Sequence, residues 1–175
     1  MHQNIHNAFD ALDAARAELT AAVEAVPDAD RTLVPADGGW SANDVLAHLL
    51  VVERRIAGVL AAAIAAARST GLGAETSTDP ATTTLNLDQL RDRSRKIQAG
   101  EASLPPSSSE FAPTWSELAE VRERLKAAVA DADGLALSTV TTPHPRLGPM
   151  NVYQWLYFVA GHESRHGGQI RAIRS

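Results

Sequence analysis

The chain has 175 residues, of which 45% are apolar, a formal net charge of -5 and no cysteine. This length and apolar content suit one well-buried core, so we expect a single domain over residues 1–175. The absence of cysteine excludes disulfides, thiolate metal ligands and cysteine nucleophiles. Histidine, aspartate and glutamate remain as the residues that can hold a metal.

Lysine and arginine are spread along the chain and form no basic run. This distribution argues against nucleic acid and against an anionic membrane surface as partners. No apolar run approaches the roughly 20 residues of a membrane-spanning helix, and the first residues, MHQNIH, lack the basic start and apolar segment of a signal peptide. We therefore expect a cytoplasmic protein.

The first predicted helix covers residues 3–26, and Pro27 marks its end. Residues 28–39 are polar and contain proline and glycine, so they predict a loop. The apolar residues of the first helix recur at helical intervals: Ile5, Phe9, Leu12, Leu19, Val23 and Val26.

The second predicted helix begins after Ser41 and continues to about Arg68. Ser41 can cap the free N–H groups while Asp44 reaches back, and Trp40 can pack on Val45 as a hydrophobic staple. A histidine occupies a core position on this helix. The inward stripe consists of Val45, His48, Leu49, Val52, Ile56, Val59, Leu60 and Ala63.

Residues 69–113 contain much glycine, proline, serine and threonine, interrupted by a possible short amphipathic helix over Leu87–Gln98. A connection of this length is typical of a segment that crosses the bundle or covers a site. Residues 114–117, TWSE, then repeat the capping pattern and predict a third long helix to about Ala132, which the region of Gly134 ends.

Residues 141–149 cannot be helical because they contain three prolines. Asn151 and Gln154 then cap the last helix, with Met150 and Trp155 as its staple, and that helix extends to residue 173. Two histidines lie on its inward stripe, which consists of Val152, Trp155, Val159, His162, His166, Ile170 and Ile173. Together these elements predict an all-α fold, a four-helix bundle with a long crossover between helices two and three.

The two histidines of the last helix are one turn apart, so both can reach one ion beside the helix. Packing explains them poorly, because two adjacent buried imidazoles each need hydrogen-bond partners. His48 alone would more often be a core residue than a ligand. Together with His162 and His166, however, it favours a facial three-histidine site in a bundle core.

Two motifs resemble those of the DinB/YfiT-like superfamily over nearly the full length of the chain. They are WS leading into the helix that holds His48, and H-x-x-x-H-x-G-Q-I from His162 to Ile170. The resemblance implies a four-helix bundle with a crossover, a divalent metal on His48, His162 and His166, and frequent homodimerisation. Similar members include transferases and isomerases that use low-molecular-weight thiols, while others are described as metal-dependent hydrolases.

Residues 162–166 also fit the H-E-x-x-H pattern of zinc proteases. Those enzymes take a third ligand downstream, and residues 167–175 contain no His, Asp or Glu, so a protease is disfavoured. Glu163 is still a candidate base, although a solvent-facing glutamate is the commoner fate of such a position. Glu53 lies five residues after His48 and is turned away from the ligand face, so we expect a surface ion pair there rather than support of a metal ligand. His144 is expected in a loop that could overhang the site. Gln169 and Asn151 are candidate caps or hydrogen-bond partners of a ligand imidazole.

The leading functional hypothesis is a metal enzyme that acts on a small molecule, by hydrolysis or thiol transfer, with the ion activating a water or a thiolate. Three imidazoles accept several divalent metals, with zinc, nickel and iron favoured here, and a low-molecular-weight thiol is a further candidate cofactor. The alternative is a non-catalytic, stress-related bundle that binds a metal or ligand. A closed four-ligand ion would favour that alternative.

Two features of the last helix indicate close neighbours. Gly167 and Gly168 each cost about 1 kcal/mol inside a helix relative to alanine, which predicts a close backbone approach by another helix or a dimer mate. Residues 155–158, WLYF, give this helix a wider apolar surface than one inward stripe can bury. We therefore expect a homodimer, although the crossover could cover the same surface.

Overall fold

A computed structural model describes residues 1–36, 38–80, 85–94, 98–106 and 109–173, apart from the side chain at position 87. In chain order the elements are α1 (Gln3–Glu24), α2 (Ala42–Ser69), α3 (Leu87–Arg91), α4 (Phe111–Ala130), β1 (Thr141–His144), β2 (Gly148–Asn151) and α5 (Val152–Ala172). Helix α1 packs mainly on α5 and α2 mainly on α4, and contacts of α2 with α5 and of α1 with α4 close the bundle. The predicted four-helix bundle is confirmed.

Two capping boxes fix where the ligand-bearing helices begin. The Ser41 hydroxyl accepts from the Asp44 backbone N–H at 3.1 Å, and the Asp44 carboxylate accepts from the Ser41 N–H at 3.0 Å. At the start of α5, Asn151 and Gln154 exchange the same pair of bonds at 2.9 and 2.8 Å. Both predicted boxes are confirmed, and they set the faces on which the histidines project.

The predicted capping box at residues 114–117 is wrong, because α4 already begins at Phe111. The Thr114 N–H donates to the Glu110 carbonyl at 3.2 Å, so residue 114 lies inside the first turn. Pro113 is tolerated there, since N–H groups in the first turn of a helix have no intrahelical acceptor. The predicted end is close to the observed one, and Gly134 adopts a φ of 81° just beyond it.

Residues 141–151 form a hairpin that the sequence analysis did not predict. Strands β1 and β2 pair antiparallel, with Pro143 opposite Pro149. Neither proline has a backbone N–H to donate, which is why the segment shows no ordinary strand pattern. The exclusion of helix over residues 141–149 was nevertheless correct. At the hairpin turn, His144 Nδ1 accepts from the backbone N–H groups of Arg146 and Leu147, both at 3.1 Å.

Several contacts attach the crossover to the bundle. Near its start, Glu75 accepts from the Ser138 N–H at 2.9 Å and from the Tyr153 hydroxyl at 3.0 Å. Farther along, α3 packs against α5, where Leu90 lies over Gly161. This helix is shorter than the predicted Leu87–Gln98, of which residues 95–97 lie outside the described part.

The core consists of two apolar clusters, one toward each end of the bundle. Val59, which was expected on the inward stripe of α2, is 41% exposed instead. In the ranges that the structure describes, no helix combines the length and apolarity needed to cross a membrane.

Candidate metal centre

The structure brings the three predicted histidines together between α2 and α5. Each of His48, His162 and His166 offers one ring nitrogen, and these nitrogens all lie within 4.8 Å of one another. The ring centroid of His48 is 5.2 Å from that of His162 and 4.8 Å from that of His166. The centroids of His162 and His166, both on α5, are 4.6 Å apart. His48 and His166 are buried, whereas His162 is partly exposed.

Hydrogen bonds to oxygen orient two of the rings. His48 Nδ1 lies 2.5 Å from the Ser103 carbonyl oxygen, and His166 Nδ1 lies 2.8 Å from Gln169 Oε1. Because these oxygens can only accept, each Nδ1 carries the proton and each Nε2 keeps a lone pair for a metal. His48 Nε2 faces His162 Nε2 at 3.3 Å. A metal-bound histidine ordinarily donates a hydrogen bond to an oxygen through the ring nitrogen that does not bind the metal, as the Nδ1 atoms of His48 and His166 do here. The donor set therefore fits a divalent ion.

Burial favours the neutral form of all three imidazoles. It lowers the pKa of His48, places that of His162 well below its usual range, and lowers the pKa of His166 to about 3. The neighbouring histidines lower the pKa of His162 and of His166 further, since like charges in one site repel. At neutral pH the cluster therefore consists of neutral imidazoles, the form that binds metal.

Aromatic rings border the cluster on two sides. Trp40 lies 4.7 Å from the His48 ring and 6.3 Å from the His166 ring, measured between centroids. Phe158 stacks on His162, with ring centroids 5.7 Å apart. His144 contacts the same Phe158 ring, with centroids 4.7 Å apart. The ring contacts of His144 are thus with Trp155 and Phe158. Among the described residues, the group with metal-ligand geometry contains the three histidines and no carboxylate.

Glu163 does not lie where the sequence analysis expected it. Its side chain is 2% exposed, and its two oxygens accept from Arg16 Nε at 2.7 Å and Arg122 Nη2 at 3.0 Å. This placement contradicts a solvent-facing glutamate, and it engages the oxygens that a base would need. Glu53 is also buried rather than in a surface pair, since it accepts from Arg122 Nε at 2.5 Å and Nη2 at 3.0 Å.

Two further contacts of the site were not predicted from the sequence. Trp40 was expected to act as a staple, and its position over the imidazoles follows only from the path of the loop before α2. The Ser103 carbonyl that orients His48 belongs to the crossover backbone, and no side-chain pattern could have indicated it. Of the two candidate partners, Gln169 bonds His166, whereas Asn151 caps α5.

Known proteins resemble this chain at the level of family and of fold. A family model described as the DinB superfamily matches residues 11–170. The uncharacterized protein YuaE of Bacillus subtilis (strain 168) is 33% identical over 90 residues, which is 50% of this chain and 54% of that relative. The match thus spans about half the length of YuaE. The crystal structure of TT2238, a four-helix bundle protein, is 23% identical with a TM-score of 0.61, over 96% of this chain and 98% of that one. This likeness shows the fold.

Proposed function

The chain belongs to the DinB superfamily, and from this membership and its three-histidine cluster we propose that it binds one divalent metal ion. The ligands would be the Nε2 atoms of His48, His162 and His166. The observation that carries the proposal is the proximity of three neutral imidazoles, which each offer one ring nitrogen within 4.8 Å of the other two. Zinc, nickel and iron are the proposed ions, because all three accept imidazole nitrogen.

We further propose that the protein is an enzyme that acts on a small molecule, either as a hydrolase or as a transferase dependent on a low-molecular-weight thiol. Such an ion supplies Lewis acidity and lowers the pKa of a water or thiol that binds it. Three protein ligands leave a position for such a molecule, and the partly exposed His162 provides a way in. The bonds of His48 and His166 to oxygen would keep the ligand set in place while that position exchanges.

The test is metal analysis of protein purified without a nickel column, followed by hydrolase and thiol-conjugation screens. We expect one metal ion per chain and turnover that a chelator abolishes and added metal restores. Protein that contains no metal and takes up none would refute the metal site. If metal binds but no substrate is turned over, the proposed metal site stands and the proposed enzyme function loses its support.

One observation favours the non-catalytic alternative. The ligands come from two different helices, so an ion held by them would join α2 to α5. Cobalt(II) substitution separates the two functions. If the fourth position exchanges, adding a small thiol should change the visible absorption of the cobalt protein. An unchanged spectrum would favour an ion that only joins helices.

A further inference from the structure

A buried ion-pair network lies beside the three histidines, and each of the four long helices contributes one member: Arg16, Glu53, Arg122 and Glu163. Glu53, Arg122 and Glu163 are almost fully buried, while Arg16 is partly buried. The two positive and two negative charges cancel. The network lies between the two apolar clusters of the core, so it replaces one complete layer of apolar packing.

Arg122 is the centre of this network. Its Nη2 donates to Glu53 on α2 and to Glu163 on α5, both at 3.0 Å, and its Nη1 donates to the Leu12 carbonyl at 3.1 Å. Burial alone would lower the pKa of Arg122, but the carboxylates of Glu163 and Glu53 together raise it. The guanidinium therefore stays charged and connects the two carboxylates.

Stability alone does not account for a charged layer. Replacing a buried ion-pair network by apolar residues of similar volume is often neutral or stabilising, because the charges no longer have to be desolvated. Charge-assisted hydrogen bonds are directional, whereas apolar contacts are not, so such bonds fix the rotation of one helix relative to another. Here the bonds through Arg122 connect α2 with α5, whose other main packing partners are α4 and α1.

These two helices are also the ones that hold the candidate metal ligands. Glu163 directly follows His162 on α5, and Glu53 lies five residues after His48 on α2. One small cavity is bordered by His162 together with Glu53 and Glu163, so the ion-pair network and the histidine cluster share a cavity wall. A rotation of α5 that separates Glu163 from Arg122 would also turn His162 and His166 away from His48.

From these contacts we propose that Arg122, Glu53 and Glu163 are positioning residues of the metal centre. They fix the mutual rotation of α2 and α5, and this holds the three imidazoles at the spacing that a single ion requires. The inference rests on the metal binding proposed above and assigns it a determinant outside the ligand set.

The test compares cobalt(II) binding by wild type, Glu53→Gln, Glu163→Gln and a matched control, Glu117→Gln. Glu117 forms a surface ion pair with Arg54 that also joins two helices, α2 and α4. Each network variant should bind cobalt about 10- to 100-fold more weakly, the usual effect of losing a residue that supports metal ligands, and its visible spectrum should change. The control should match wild type in both.

A quadruple variant separates positioning from folding: Arg16→Met, Glu53→Leu, Arg122→Met and Glu163→Leu. We expect it to be helical and to melt cooperatively, but to bind cobalt at least about 10-fold more weakly than wild type. Wild-type affinity and spectrum in this folded variant would overturn the inference. Failure of this variant to fold would also overturn it, because the network would then be required for the fold itself. If wild type binds no cobalt, the proposed metal function fails as well.

Discussion

Single side chains should decide whether the proposed ion binds, because the three imidazoles are its only candidate ligands among the described residues. Alanine at position 48, 162 or 166 leaves two nitrogens, which is too few for a stable site of this type. We expect each of the three variants to lose most of its metal, as measured by elemental analysis. His6→Ala is the matched control, because that side chain is 62% exposed on α1. Unchanged metal content in any of the three variants would remove that residue from the site.

The same histidines predict how stability depends on pH in the metal-free protein. Burial lowers their pKa values in the folded state, so between the folded values and about 6.5 the unfolded chain binds more protons. The contribution of the neutral histidines to the free energy of unfolding is therefore fully present above pH 6.5, and it decreases as the pH falls below 6.5. Urea titrations at pH 8, 7, 6 and 5 should show this decrease, at most about 1.4 kcal/mol per pH unit for each histidine.

His166→Leu provides the comparison for that pH series, since it removes the imidazole whose pKa falls to about 3. Its stability should decrease less between pH 7 and 5 than that of wild type. Parallel curves for the two proteins would mean that His166 titrates alike in the folded and unfolded states.

The candidate ligands are predictable from the sequence, and helical spacing also indicates the burial of the ion-pair network. Each network residue lies four positions after one buried leucine or valine, on the same stripe. The pairs are Leu12 and Arg16, Leu49 and Glu53, Leu118 and Arg122, and Val159 and Glu163. Helical spacing thus predicts burial for all four. What spacing cannot show is which of these side chains meet, because that depends on the rotation of each helix in the bundle.

At the scale of elements, two helical glycines should respond differently to alanine. Among the described residues, no atom outside the adjacent backbone of α2 lies within 4 Å of the position that a Cβ at Gly58 would occupy, so Gly58→Ala should stabilise the fold by about 0.5–1 kcal/mol. At Gly161 the same Cβ would lie 3.1 Å from Leu90 Cβ, and α3 would have to move. Gly161→Ala should therefore gain less or destabilise, as thermal melts of both variants would show. Equal gains would mean that α3 does not pack closely on α5.

Helix starts were predicted correctly where local capping residues determine them. Capping boxes are local, and two of the three predicted ones are correct. The predicted start of α4 was wrong because the helix begins at Phe111 and includes Pro113 in its first turn. No local sequence pattern indicates this earlier start. At Gly167 the backbone of another helix does lie nearby, but a Cβ there would be 3.5 Å from Leu19 Cα on α1, which is ordinary van der Waals contact and does not require a glycine. At Gly168 the neighbour is instead the side chain of Arg93.

At the scale of the whole molecule, the homodimer stays a prediction. Part of the apolar surface on which it was based, residues 155–158 of α5, is covered within the chain by His144 at Trp155 and Phe158. Leu90 of α3 covers the same helix farther along, at Gly161. The expectation now depends mainly on membership of the family. Sedimentation at micromolar concentration should give twice the mass of the chain. A monomer would be consistent with the cover that α3 and the hairpin provide.

Metal binding should also stabilise the fold as a whole, because the ligands come from two helices that separate on unfolding. A ligand that binds only the folded state contributes about 2.7 kcal/mol when its free concentration is 100 times its dissociation constant. For a domain of this size that corresponds to a rise in melting temperature of about 5–10 °C. The comparison is between metal-loaded protein and protein with excess chelator, with His48→Ala as the variant that should show no difference. Equal melting temperatures for the two wild-type samples would mean that the ion does not bind or that it binds the unfolded chain equally well.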